Sequence, residues 1–124
     1  MPDAPSKIRW LEAPEAGNYP AALSYLSLVY ESKRAKALVK QLSEGKTVAF
    51  KAKDIFRASG LSLLGVSNFH VQRDLKKIRS GKALSPILLV RVPEIAKVIV
   101  ADGYHRMCAV YSLDEDAVMP CRIA

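Results

Sequence analysis

Two strongly apolar runs set almost back to back, Pro86 to Val92 and Ile95 to Ala101, constrain this chain more than any other feature. Only Pro93-Glu94 separates them. Apolar runs of this length bounded by turn residues read as strands, and so short a gap makes them neighbours in a sheet. The second run ends Val98-Ile99-Val100-Ala101, a buried strand that passes straight into Asp102-Gly103. A helix is expected at once, from about Tyr104 to Leu113, followed by an acidic turn, Asp114-Glu115-Asp116, and a last strand, Val118 to Ile123.

Upstream the apolar period is helical. Met1 to Tyr19 carries prolines at 2, 5 and 14 and reads as an arm, with Trp10 and Tyr19 able to pin it to the body. Pro20 opens a helix in which Ala22, Leu23, Leu26 and Val29 share helical spacing. A second helix spans Glu31 to Glu44, with Ala35, Leu38, Val39 and Leu42 on one face and Gly45 as its stop. Then come a short strand, Thr47 to Lys51, a short helix, Lys53 to Ser59, stopped by Gly60, and a loop over 61–68. Ser67 or Asn68 caps the next helix, Phe69 to Arg79, which ends at Ser80-Gly81. From residue 47 the order is β-α-α-β-β-α-β. This predicts an α/β (α+β) fold: a small mixed sheet with packed helices, plus the N-terminal helices. Residues 1–124 are expected to form one domain, 1–46 supplying the arm and helices and 47–124 the core.

The chain has 124 residues, half of them hydrophobic and a quarter charged, which is ordinary globular composition. Its formal charge of +7 suits an anionic partner: a nucleotide, a nucleic acid or an acidic protein. The lysines and arginines are spread along the chain, so solubility explains the excess equally well. Cys108 and Cys121 lack C-x-x-C spacing, which argues against zinc and against a disulfide scaffold. Both read as small core residues of a reducing compartment. Met1 to Trp10 is polar and no stretch approaches a membrane-spanning length, so a cytoplasmic protein without a membrane partner is expected. The N-terminal pair of helices is a candidate homodimer surface.

The strand-to-helix turn Asp102-Gly103-Tyr104-His105-Arg106 carries the chemistry. A helix N-terminus offers unpaired N–H groups and the positive end of a dipole. Gly103 lets backbone approach a ligand closely. His105 and Arg106 oppose the dipole by a few tenths of a kcal/mol to about 1 kcal/mol unless an anion sits over the turn. Two readings stand: a phosphate cradle, or an N-cap at Asp102 with His105 and Arg106 solvated or paired with acids. In the helix Phe69 to Arg79, Val71, Leu75 and Ile78 form a core face, and His70, Arg73 and Lys77 a neighbouring one. That second face is either a solvated basic surface or the far wall of the same phosphate pocket. Lys51, Lys53 and Arg57 extend the basic rim or solvate a strand edge. Tyr19, Tyr25 and Tyr30 pack on the core or a partner, with stacking on a base the lesser reading.

Leu75-x-x-Ile78-x-x-Gly81-x-x-Leu84-x-Pro86-Ile87-Leu88-Leu89-Val90-Arg91, then Val98 to Arg106-x-x-Ala109, then Met119-Pro120-Cys121-Arg122-Ile123, resemble the ParB/sulfiredoxin superfamily. Val48 to Ile55 resembles that fold's opening strand and short helix, so the resemblance covers residues 47–124. It implies a nucleotide site in which His105 and Arg106 match the phosphate-contacting pair and His70, Arg73 and Lys77 coincide with further nucleotide contacts. Sulfiredoxins carry a reactive cysteine where this chain has Tyr104, so sulfinic-acid reduction is not expected. ParB proteins have G-E-R-R at this turn, and their helix-turn-helix domain has no counterpart here. Free-serine kinases on this fold carry D-G-x-H-R, which is similar to Asp102 to Arg106. The resemblance therefore implies a binder of ATP or CTP with magnesium, or of another phosphorylated small molecule: a small kinase, a nucleotide hydrolase or a non-catalytic domain. Asp102 is the candidate catalytic residue and magnesium contact; no other metal ligand is expected. Glu44, Asp54 and Asp74 are the nearest candidates for a base. The alternative is a DNA-binding or protein-interaction module using the same basic surface.

Overall fold

A computed structural model describes residues 7–124. Pro2 and Pro5, part of the expected arm, lie outside the described residues. Five helices pack on a four-stranded open sheet, α1 (Asn18–Val29), α2 (Ser32–Glu44), β1 (Val48–Lys51), α3 (Ala52–Ser59), α4 (Phe69–Arg79), β2 (Ile87–Val92), β3 (Lys97–Asp102), α5 (Tyr104–Leu113) and β4 (Val118–Ile123). The strand order is β1-β4-β2-β3. β1 pairs antiparallel with β4, β2 antiparallel with β3, and β2 runs parallel to β4.

β2 explains why the first apolar run does not alternate. Ile87 and Leu89 face a core formed with α3, α4 and α5, while Leu88 and Val90 face α1 and α2. All four are at most 1% exposed, so both sheet faces are covered here and neither has use for a polar side chain. The buried stripes of α2 (Ala35, Leu38, Leu42) and of α4 (Val71, Leu75, Ile78) meet opposite faces of this sheet. Asn68 caps α4, its Oδ1 accepting from the N–H groups of His70 (2.9 Å) and Val71 (3.2 Å).

Two sequence expectations are corrected. The second apolar run does not pair from Ile95: Pro93–Ile95 is a 3-10 turn, Ala96 follows with φ 54°, and β3 starts at Lys97. Reversing the chain between antiparallel strands consumes the residues that the apolar pattern assigned to the strand. Helix α1 starts at Asn18 and not at Pro20, while the arm is pinned to the body at Trp10 as expected. Trp10 bridges to Leu84 in parallel, Leu11 N–H donates to Leu84 O at 2.8 Å, and Leu84 N–H donates to Arg9 O at 2.8 Å. Pro14 is buried.

Candidate functional site

β3 delivers Asp102, and Gly103 turns the chain into α5 with φ 109° and ψ 16°. A Cβ on Gly103 would lie 2.4 Å from Ile87 Cγ2 and 3.0 Å from Arg106 Nη2, so the backbone here is pressed against β2. The first intrahelical bond runs from Met107 N–H to Gly103 O, 2.9 Å. The N–H groups of Tyr104, His105 and Arg106 precede it, and no side chain caps the helix. Asp102 is not an N-cap. It ends β3, and its Oδ2 accepts from Arg106 Nη2 at 3.0 Å, both side chains being 17% exposed. This pairing offsets the cost of a cation in the first helical turn. Arg106 Nη2 also approaches Pro86 O at 3.5 Å, whereas its Nε is buried without a hydrogen-bond partner among the described residues.

The facing wall is α4. The imidazoles of His70 and His105 lie with ring centroids 4.7 Å apart and planes tilted by 43°. Gly103, Tyr104, His105, Arg106, His70, Arg73 and Lys77, far apart in sequence, line one cleft of about 290 Å³. Burial holds the pKa of His105 below the ordinary imidazole value; His70, Arg73 and Arg106 push the same way, and Asp74 opposes them. Tyr104 presents its ring and backbone, since its hydroxyl donates to Ser62 O at 2.5 Å and ties the 61–68 loop to the turn. Burial, with a smaller contribution from Cys108, raises the pKa of that phenol.

Three acids line the cleft as well: Glu15, Asp74 and Asp102. Arg73, Lys77 and Arg106 are thus matched by as many carboxyl groups. Glu15 arrives because the Trp10–Leu84 pairing carries the arm past Ser85, whose Oγ accepts from Glu15 N–H at 3.0 Å and donates to Asn18 Oδ1. No local sequence signal marks Glu15 or Ser85 as site residues. Asp74 did carry one: it sits three residues after Val71, on the core stripe of α4.

The remaining candidates separate cleanly. Glu44 is exposed at the end of α2, and Asp54 is exposed and 3.6 Å from Arg57. Of the three acids considered as a base, Asp74 is the one in the cleft. Lys53 and Lys51 meet Asp116 of the acidic turn at 2.6 and 4.0 Å and do not line the cleft. Tyr19 and Tyr30 pack against the α1–α2 core, while Tyr25, 45% exposed, flanks the outer side of the turn with Leu61. Cys108 and Cys121 are free and buried, and burial pushes the Cys121 thiol up to about 12. Among the described residues no three His, Cys, Asp or Glu side chains gather at metal-binding spacing, and no helix is long and apolar enough to cross a membrane.

Comparison with protein-family models, curated proteins and solved structures finds no match to this chain.

Proposed function

We propose that the cleft between α4 and the start of α5 binds the phosphate group of a small molecule, a nucleotide before others. The observation that carries this reading is the uncapped N-terminus of α5, opening into a cleft that also holds His70, Arg73, Lys77 and His105. An anion there would accept from the N–H groups of residues 104–106 and from the α4 cations. Gly103 supports it, since its close packing on Ile87 fixes the helix start. The resemblance of residues 47–124 to the ParB/sulfiredoxin superfamily adds a reason to try ATP and CTP with magnesium. On this reading Asp102 is a positioning residue for Arg106. A bound magnesium ion would draw most of its ligands from phosphate oxygens and water. A small kinase or nucleotide hydrolase built on this site would need a base as well, and Asp74 is the carboxyl group placed to serve.

Thermal unfolding with ATP or CTP and magnesium tests the proposal. A ligand at a hundredfold its Kd stabilises by about 2.7 kcal/mol, a shift of several degrees. The shift is expected to vanish in Arg73→Ala/Lys77→Ala, whose side chains are exposed and whose loss leaves the core intact. Arg106→Ala is a poorer probe because it strands Asp102. Absence of a shift with every phosphate ligand tried would refute the proposal.

A second reading rests on Phe69, 70% exposed, and Val66, 56% exposed, which share a groove with Gln72, Arg73, Lys76 and Arg79 on the outer side of α4. An exposed aromatic among cations suits a nucleic-acid or protein partner. DNA binding with a steep salt dependence, lost in Phe69→Ser but kept in Lys77→Ala, which lies outside this groove, would favour it.

A further inference from the structure

Val71, Asp74, Leu75 and Ile78 form the buried stripe of α4, and a carboxyl group is the anomaly in that set. Asp74 is 4% exposed as a whole residue and has no side-chain hydrogen bond or ion pair among the described residues. Its carboxyl oxygens are not sealed in: it lines the cleft, and the sealed side-chain polar atom without a partner among those residues is Arg106 Nε. Ser85, the other buried polar residue among them, is 3% exposed and fully engaged with Glu15 and Asn18. A carboxyl group that lines a cleft without a protein partner takes its hydrogen bonds from water or from a ligand. Asp74 lines the cleft beside His70, Arg73, Lys77 and His105.

An ionised Asp74 can only accept, and so needs an N–H or O–H. With Asp102 engaged by Arg106, the cleft sets Asp74 and Glu15 against Arg73 and Lys77, so it is not a plain sink for anions. In the free protein a water can donate to Asp74. A ligand that displaces this water without replacing its hydrogen bond loses affinity.

We propose that Asp74 is a specificity residue that makes the cleft prefer phosphate esters carrying a hydroxyl or amino donor over esters lacking one. The proposal rests on the phosphate reading above and narrows it to donor-bearing esters. The donor source is left to experiment: a hydroxyl needs only an acceptor, whereas an ammonium group also uses the charge of the carboxylate.

Titration calorimetry with inorganic phosphate, n-propyl phosphate, glycerol 3-phosphate and phosphoethanolamine provides the test, on the parent, Asp74→Leu and Asp74→Asn. The parent is expected to bind glycerol 3-phosphate or phosphoethanolamine at least about tenfold more tightly than propyl phosphate, since buried polar groups left unpaired penalise the analogue that lacks a donor. Asp74→Leu, which replaces the anomaly by a side chain suited to the core stripe, is expected to bring the ratio near one. Asp74→Asn keeps an acceptor and is expected to retain a hydroxyl preference while losing an amino preference. A parent ratio within about twofold, a ratio unchanged in Asp74→Leu, or an amino preference unchanged in Asp74→Asn overturns the role of Asp74 while leaving phosphate binding intact. If none of the four compounds binds the parent, the preference for donor-bearing esters is overturned, and the phosphate reading falls with it where ATP and CTP also fail to bind.

Discussion

Gly103→Ala should disable the turn through two separable effects. The first is conformational: Gly103 has φ 109°, where a Cβ costs about 1–2 kcal/mol. The second is steric. The new methyl would stand 2.4 Å from Ile87 Cγ2 and 2.9 Å from Ile87 Cβ. Ile87 is fully buried in the middle of the sheet and cannot swing away, so relief requires a backbone shift costing a further 1–3 kcal/mol or so. Gly81 isolates the first effect. It also has positive φ, 78°, yet a Cβ there meets nothing within 4 Å. Gly81→Ala should therefore destabilise by about 1–2 kcal/mol and Gly103→Ala by about 2–5 kcal/mol. Urea unfolding followed by circular dichroism and by Trp10 fluorescence reports both. At roughly 3–5 °C per kcal/mol for a chain of this size, melting should separate them by several degrees. Equal destabilisation within about 0.5 kcal/mol would refute the close approach of the turn to β2 and, with it, the argument that only glycine fits there.

Asp102→Asn and Arg106→Met should each destabilise by about 2–4 kcal/mol, because each leaves a mostly buried partner unmatched, and the double variant should be less costly than the sum; additivity in a double-mutant cycle would show the pair to be uncoupled. For His105 the folded pKa lies below the unfolded one, so the unfolded chain gains the proton first and stability should fall as pH drops through the ordinary value near 6.5. An anion in the cleft reverses this preference, so sulfate, which does not titrate in this range, should bind more tightly as pH is lowered from about 8 to about 5.5, and a flat profile or one unchanged in His105→Gln would contradict it. Cys108 and Cys121 should resist thiol reagents in the folded protein and react only on unfolding, since burial raises both thiols, that of Cys121 to about 12; rapid labelling under native conditions would show that the core opens.

The parts of the fold legible in the sequence are those written in local pattern. The stripe of α2, the Asn68 cap and the limits of β4 all follow from side chains within a few positions of one another. The cleft was partly legible for the same reason: α4 places His70, Arg73 and Lys77 on one face by helical geometry, and Gly103 marks the turn. What escaped was non-local. Nothing near Trp10 specifies pairing with Leu84, so the entry of Glu15 into the cleft could not be anticipated. The Asp102–Arg106 pair is spaced i,i+4 and was available to sequence reading, but so was a capping role, and only the extended backbone of β3 through Asp102 decides between them. Ile95 misled because apolar character reports burial, whereas the positive φ of Ala96 decides where the strand begins, and Ile95 is 65% exposed. Asp74 shows the converse: a charged residue on an apolar stripe is a signal in its own right.

β4 lies between β1 and β2, which makes its six residues the seam of the sheet. Until Val118 to Ile123 have left the ribosome, β1 has no partner and β2 is bonded on one side only. Helices α1 and α2 and the β2–β3 hairpin can assemble during synthesis, but the two halves of the sheet join only afterwards, through contacts some seventy residues apart, such as Val48 with Cys121. A nascent chain stalled before Val118 would expose the edges of an unfinished sheet, and Ile87, Leu88 and Leu89 would wait there for the strand that closes it.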